Sequence, residues 1–319
     1  MFATTRCIPE QTKVVLLYGG RSNERDISIL SGNAVEQALL SLGFPTIKID
    51  AKDPDYIEQM RQAEPDVVFN CLHGKGGEDG CVQGVCHELD LPIIGSGVLA
   101  SALAMDKTRA KIIYAASGIS TPKSMALNRG ESASYSDVSA ALGAKIVVKA
   151  AHEGSAIGTY IVDSEAAFDE AVKAAFDIDS LLVIEQFISG TEVTVAVLGN
   201  DELEALPIIE IVPHSDFYDF EAKYAAGGSD HICPARIPDD VAKRCQEQAI
   251  LAHKALGCRG LSRTDMIIDS DGTPWTLETN TIPGMTATSL IPDAARAVGI
   301  SFEDLCRLLI ELALESASE

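Results

Sequence analysis

Residues Gly260 to Leu290 read GLSRTDMIIDSDGTPWTLETNTIPGMTATSL. The central Ser270-Asp271-Gly272 is a turn signal between two apolar-rich runs, which predicts a β-hairpin with strands near Leu261 to Asp269 and Pro274 to Asn280. Pairing them about a four-residue loop, Ser270 to Thr273, sets Asp269 against Pro274, Asp265 against Glu278 and Arg263 against Asn280. Side chains alternate with period 2, so Arg263, Asp265, Glu278 and Asn280 share one face, with opposed Cβ atoms roughly 5 Å apart. Two carboxylates and an amide oxygen then converge beside an arginine. Oxygen donors of this kind suit Mg²⁺, which takes one or two carboxylates from a protein and the rest from water and substrate phosphate; a nucleotide is thereby implied. The competing reading is a solvated polar face on an edge hairpin, because strands are depleted in Asp, Glu and Asn but not free of them.

Outward from the hairpin, 319 residues give room for two or three domains with ample core. Helical and strand patterns alternate throughout, which predicts α/β or α+β architecture. No apolar run is long enough to span a membrane, and the opening MFATTRCIPEQTK has no hydrophobic signal core, so a cytoplasmic protein is expected. The eight cysteines form no C-x-x-C pair and read as reduced and mostly buried. Cys86-His87 and His231-x-Cys233 lack partners at zinc-ligand spacing. A net charge of −22 argues against nucleic acid and anionic membrane as partners, so the few basic residues mark where a polyanion would bind.

In chain order, VVLLY (14 to 18) reads as a buried strand, followed by Gly19-Gly20 and an amphipathic helix from about Ile27 to Leu42. Neither G-x-G-x-x-G nor G-x-x-x-x-G-K is present. In the intervening loop Asp26 is placed to cap the helix, and Glu24 precedes it. Strands near Phe44 to Asp50, Asp66 to Cys71 and Leu91 to Ile94 follow, with a helix near Pro54 to Gln62. The glycine-rich loop from His73 to Gly80 lies at the carboxyl end of a strand, where open α/β sheets bind ligands. Lys107 opens a helix to Ser117, and a first boundary falls near Met105. KIVVKA (145 to 150) and Tyr160 to Val162 form a second hairpin whose glycine-containing tip can offer backbone N–H groups to phosphate; Lys149 stands in its apolar strand. A helix from Ser164 to Ala175 leads to LLVIE, and Glu192 lies in the next strand, TEVTVAVL. Pro213 to Pro234 shows no convincing helix or strand, but its aromatics (Phe217, Tyr218, Phe220, Tyr224) suit a lid over an active site. Helices from Pro238 to Leu256, Thr286 to Val298 and Phe302 to Leu314 complete the chain.

Seven stretches in this order resemble the ATP-grasp ligases, and closely the D-alanine:D-alanine ligases: GGRSNERDIS (19 to 28), HGKGGEDGCVQG (73 to 84), GSGVLASALAMDK (95 to 107), VKAAHEGSAIG (148 to 158), IEQFISGTEVTV (184 to 195), FYDFEAKY (217 to 224) and RTD…ETNTIPGMT (263 to 286). The resemblance runs from Val14 to about Leu314. It implies an ATP-grasp fold, an N-terminal open parallel α/β domain (1 to 105) followed by two α+β domains clasping ATP (106 to 190 and 191 to 319). It implies ligation of two D-alanines through an acyl phosphate, for peptidoglycan precursor synthesis, by a homodimer. Lys107 and Lys149 would hold the nucleotide's phosphates, Glu185, Gln186, Phe187 and Ile188 its adenine, and Glu192 its ribose. Asp265, Glu278 and Asn280 would hold two Mg²⁺ ions, with Mn²⁺ as a substitute. Lys223 would reach the γ-phosphate, while Glu24, Ser155 and Tyr224 surround the first D-alanine, with His73 nearby. Arg263 and the Gly284 backbone would face the oxyanion, and Ser289 the second carboxylate. Ala150 and His152 stand where relatives usually carry Pro and Arg, Ala156 where a second serine is common, and Asp26 where a glutamate usually follows Glu24.

Overall fold

The structure is a computed structural model that describes residues 7–214, 228–286 and 288–316. Val14–Tyr18 forms β1, whose first four side chains are wholly buried, and it pairs in parallel with β2 (Thr46–Asp50) and β3 (Val67–Asn70). The order β2-β1-β3 needs crossovers, supplied by α1 (Arg25–Ser41) and α2 (Tyr56–Ala63), as parallel pairing requires. Apolar side chains on both faces of β1 explain its unbroken VVLL run: Val14 and Leu16 join one core cluster, Val15 and Leu17 another. The expected strand at 91–94 is reduced to a single parallel bridge, Val68 to Ile93.

Three helices follow: α3 (Cys81–Glu88), α4 (Val98–Met105) and α5 (Lys107–Ala116). Only the last was expected, because α4 is almost uniformly apolar and gives no periodic signal. A second sheet runs β4-β7-β5-β6, from β4 (Ser124–Asn128), β5 (Ile146–Ala150), β6 (Thr159–Val162) and β7 (Leu181–Gln186). It is backed by α6 (Tyr135–Leu142) and α7 (Glu165–Ile178), whose Val138, Leu142, Phe168, Ala171 and Ala175 fill its core.

The third sheet is centred on β8 (Thr191–Gly199) and β12 (Gly260–Ile268), antiparallel along their whole lengths. β9 (Glu204–Ala205), β10 (Ile209–Pro213), β11 (Ser229–Ile232) and β13 (Pro274–Asn280) complete it. The segment from Pro213 to Pro234, expected to lack strands, therefore ends the β10 strand and contains β11. Its aromatics, with Lys223 and Tyr224, lie outside the described residues. Helix α8 (Asp239–Leu256) covers one face of this sheet, with Val241, Cys245 and Ala249 against Val193, Val195 and Met266. Two last helices, α9 (Leu290–Ala297) and α10 (Phe302–Ser316), join β1, β3, α1 and the third sheet in the largest core cluster. Helix α9 starts later than the expected Thr286, with Ser289 as its N-cap.

The deciding hairpin has the expected site pairs, Asp265 opposite Glu278 and Arg263 opposite Asn280, but a different turn. Ile268, not Asp269, faces Pro274. Asp269 turns into the loop, where its carboxylate accepts the N–H groups of Asp271 and Thr273 at 2.9 Å each and the Trp275 indole N–H at 2.8 Å. The register then shifts between Asp265 and Met266, a bulge with Leu277 as the extra residue, which restores the pairing the site needs.

Candidate active site

Every site residue expected from the sequence that falls within the described residues lines one of two adjoining cavities, and Asp265 and Glu278 belong to both. The larger, about 430 Å³, contains Glu24, His73, Ser155, Arg263, Asn280, Gly284 and Ser289. The smaller, about 100 Å³, contains Lys107, Lys149, Glu185 to Ile188 and Glu192. The bulge accounts for the shared wall: Leu277 and Glu278 are adjacent in sequence, yet both face the smaller cavity, one apolar and one charged.

In the smaller cavity, Lys149 projects from β5 to Glu185 on β7, with 3.0 Å between Nζ and Oε2. The other carboxylate oxygen of Glu185 lies 3.3 Å from Lys111 Nζ on α5. Glu185 is wholly buried; burial alone would raise its pKa, but Lys111 and Lys149 together hold it below the usual carboxylate range. Lys107, at the first turn of α5, pairs with Glu278 at 3.1 Å and donates to the Glu153 carbonyl at 2.6 Å. Its burial works to lower its pKa, and Glu278 more than compensates. Asp106 caps that helix by accepting from Thr108 and Arg109 N–H, so Lys107 is left to face inward. Phe187 is held beneath the Lys145 ammonium, 4.0 Å from its ring centroid.

On the hairpin wall, Arg263 binds Asp265 through two parallel bonds of 2.8 and 2.7 Å. Thr194 on β8 donates to the same carboxylate at 2.5 Å and the Asn280 amide at 3.2 Å. Two carboxylates on facing strands with an amide beside them are hard oxygen donors, the chemistry that fits a hydrated divalent cation shared with phosphate.

The larger cavity gathers acid. Glu24 is the N-cap residue of α1 but makes no side-chain capping bond; its carboxylate instead accepts a hydrogen bond from Ser155 Oγ. Burial first, then the charge of Glu78, pushes its pKa up, against the Ser155 bond that lowers it. Asp26, expected as the cap, lies in the helix's first turn. Ser155 and Ala156 have φ of +54° and +60°, the left-handed region that costs a non-glycine residue strain and is typical of functional loops. Gly154 precedes them because a Cβ there would sit 3.0 Å from a Glu24 carboxylate oxygen. His73 lies between Glu78 (3.4 Å from Nδ1) and Ser31 (3.3 Å from Nε2). At the far end, Ser289 Oγ accepts the Thr286 N–H at 3.0 Å, and a Cβ on Gly284 would approach it to 3.0 Å.

His152 faces neither cavity. Its backbone and Nδ1 bind Asp179 at 2.8 and 2.9 Å, and Nε2 lies 3.6 Å from Asp106. It ties the foot of the Ser155 loop to the ends of α5 and α7. Sequence reasoning gave no role to Glu78, Lys111 or Thr194, and weighed His231 only as a zinc-site fragment. Lys111 had a readable signal, one helical turn after Lys107 on the same face, as did Thr194, two strand positions after Glu192.

Two sheets facing each other across a cleft that holds Lys107 and Lys149, with an acidic hairpin between its two cavities, define an ATP-grasp enzyme. The family described as the D-ala D-ala ligase C-terminus matches residues 113–311. The D-alanine–D-alanine ligase of Pelotomaculum thermopropionicum is 48% identical over 310 residues, covering 95% of this chain and 97% of that protein. That of Moorella thermoacetica is 47% identical over 308 residues, covering 95% and 99%. Among solved structures, the D-alanine–D-alanine ligase from Bacillus anthracis complexed with ATP superposes with a TM-score of 0.85 at 31% identity, over 96% of this chain and 99% of that one. The VanG D-Ala:D-Ser ligase from Enterococcus faecalis gives 0.82 at 33% identity, over 95% and 99%. This chain belongs to the D-alanine–D-alanine ligase family.

Proposed function

We propose that the protein joins two D-alanines at the expense of ATP, releasing D-alanyl-D-alanine, ADP and phosphate, as a cytoplasmic step that supplies peptidoglycan precursors. The observation that carries this reading is the pair of cavities sharing Asp265 and Glu278, the smaller with Lys107 and Lys149 on its wall and the larger with Glu24 and Glu78. In the smaller, Lys107 and Lys149 take the nucleotide's phosphates, Glu185 to Ile188 its adenine and Glu192 its ribose. Asp265, Glu278 and Asn280 hold two Mg²⁺ ions together with those phosphates; when bound, the ions neutralise charge on the transferring phosphoryl group.

In the larger cavity Glu24 and Ser155 orient the first D-alanine, Glu24 nearest its ammonium, with His73 beside it; to Tyr224 we assign a part in the same set and to Lys223 the γ-phosphate, from the family resemblance. The D-alanine carboxylate takes the γ-phosphoryl group, and ADP leaves. The free amine of the second D-alanine, whose carboxylate is held at Ser289, attacks the acyl phosphate. Arg263 and the Gly284 N–H stabilise the tetrahedral oxyanion, and phosphate departs as the amide forms. Exclusion of water protects the acyl phosphate from hydrolysis, the role we assign to the segment carrying Lys223 and Tyr224. The three sheet-bearing segments, 1–105, 106–190 and 191–319, act as substrate base and two nucleotide-clasping halves, in a homodimer.

The test is product analysis with ATP and Mg²⁺, first with D-alanine alone, then with D-serine or D-lactate added. One D-alanyl-D-alanine per ADP from D-alanine alone is expected. ADP release independent of D-alanine, or a mixed product that dominates near neutral pH, would refute the assignment. No helix among the described residues is long and apolar enough to cross a membrane.

A further inference from the structure

His231 stands on β11, opposite Ile211 of β10, and both residues line the larger cavity that also holds Ser289. The imidazole Nδ1 lies 3.3 Å from Asp293 Oδ2, and Nε2 lies 3.4 Å from Ser229 Oγ. Asp293 occupies the first turn of α9, where its N–H closes the turn on the Ser289 carbonyl at 3.1 Å. Its second carboxylate oxygen accepts from Arg296 at 2.7 Å. Burial works to raise the Asp293 pKa, but His231 and Arg296 hold it below the usual carboxylate range, so it is an anion that orders the imidazole against it. A chain of contacts therefore runs from the strand that follows residues 215–227, through His231 and Asp293, into the turn that Ser289 opens. An apolar side chain at 231 could fill the same space but could not hold Asp293.

We propose that His231 is a positioning residue for the second amino acid: through Asp293 it fixes the turn of α9 that presents Ser289 to the cavity. This rests on the assignment of Ser289 to the second substrate's carboxylate made above. Arg296 steadies Asp293 from within the helix, and His231 supplies the only one of these two contacts that comes from a different element.

The test measures dipeptide formation by the full chain across a D-alanine range wide enough to resolve a first-site and a second-site KM, with KM for ATP in parallel. His231→Phe should raise the second-site KM about tenfold, the scale of one lost hydrogen bond to a charged group. The first-site KM and that for ATP should stay within about twofold. His231→Gln, which keeps a donor for Asp293, should restore most of the second-site affinity. Asp293→Asn breaks the pair from the other side and should reproduce the His231→Phe pattern, with the double variant no worse than the more impaired single one. Should His231→Phe fail to fold, Asp293→Asn decides alone. An unchanged second-site KM, a parallel rise in all three constants, or a His231→Gln enzyme as impaired as His231→Phe would overturn the proposal. A parent enzyme that makes no dipeptide would remove the functional assignment, and this proposal with it.

Discussion

Glu24 and Glu185 are both buried glutamates facing a cavity, and their surroundings push them in opposite directions. Glu185 meets two lysines, and its pKa falls in spite of burial; Glu24 is raised by burial first and then by the charge of Glu78. On the nucleotide side charge is paired before any ligand arrives, so the acid holds Lys149 in place. On the amino-acid side an acid cluster is held at a cost by a strained loop, with Ser155 at φ +54°. The first arrangement favours the fold and the second favours a cationic ligand at the expense of the fold, a division expected where a site is preorganised.

Four substitutions test this contrast. Arg263 lines the larger cavity and grips Asp265 of the shared wall, so Arg263→Ala carries the largest effect on turnover: kcat should drop about 10²- to 10³-fold, as for loss of one oxyanion donor, measured in steady state. Glu185→Gln should cost about 3–5 kcal/mol, because it strands two cations at a buried site. Thermal melts would show this, and an unchanged Tm would sink the pairing argument. Glu185 has a depressed pKa, so its contribution is full above its ordinary 4.5 and is lost as pH falls through the folded value; the gap between variant and parent should close in acid.

The same exchange at Glu24 should have the opposite sign. Its raised pKa means that stability is full below 4.5 and declines as pH rises through the folded value. Glu24→Gln should therefore melt higher than the parent near neutral pH, by about 1 kcal/mol or a few degrees, and equal it in acid, while losing activity. A lower Tm near neutral pH would refute the claim that this carboxylate is held at a cost. The smallest effect belongs to His152→Arg. Because that side chain binds Asp106 and Asp179 away from both cavities, KM for ATP should move less than about twofold and stability by about 1 kcal/mol or less. A larger shift in KM would place the loop's foot within the nucleotide site.

Those contrasts were only partly legible in the sequence. β1 and the strands of the hairpin could be read because four buried residues in a row, or a turn triplet between two apolar runs, leave a local signature. Helix α4 could not, since a helix apolar on every side has no period. The positive φ of Ser155 was hidden for another reason: serine seldom adopts it, and it is imposed by the loop around Glu24. His231 fell in a stretch that looked unstructured because its strand is four residues long and alternates weakly. Glu185 was read from resemblance as an adenine contact, while its bond to Lys111 needed three dimensions.

The bulge at Leu277 makes the hairpin an odd–even counter. A loop one residue shorter with no extra residue in β13 would give the same pairing at Asp265 and Glu278, so length changes at the tip can be absorbed before they reach the site. Removal of Leu277 alone would likewise leave Glu278 opposite Asp265 in an unbroken ladder, with Glu278 and Asn280 on the cavity face and Thr279 in the core, at the loss of one apolar side chain from the wall of the smaller cavity. Descendants of this chain are thus free to vary the turn in length and even to lose the bulge, but from Glu278 to Asn280 no residue can be dropped without removing or displacing a side chain of the site.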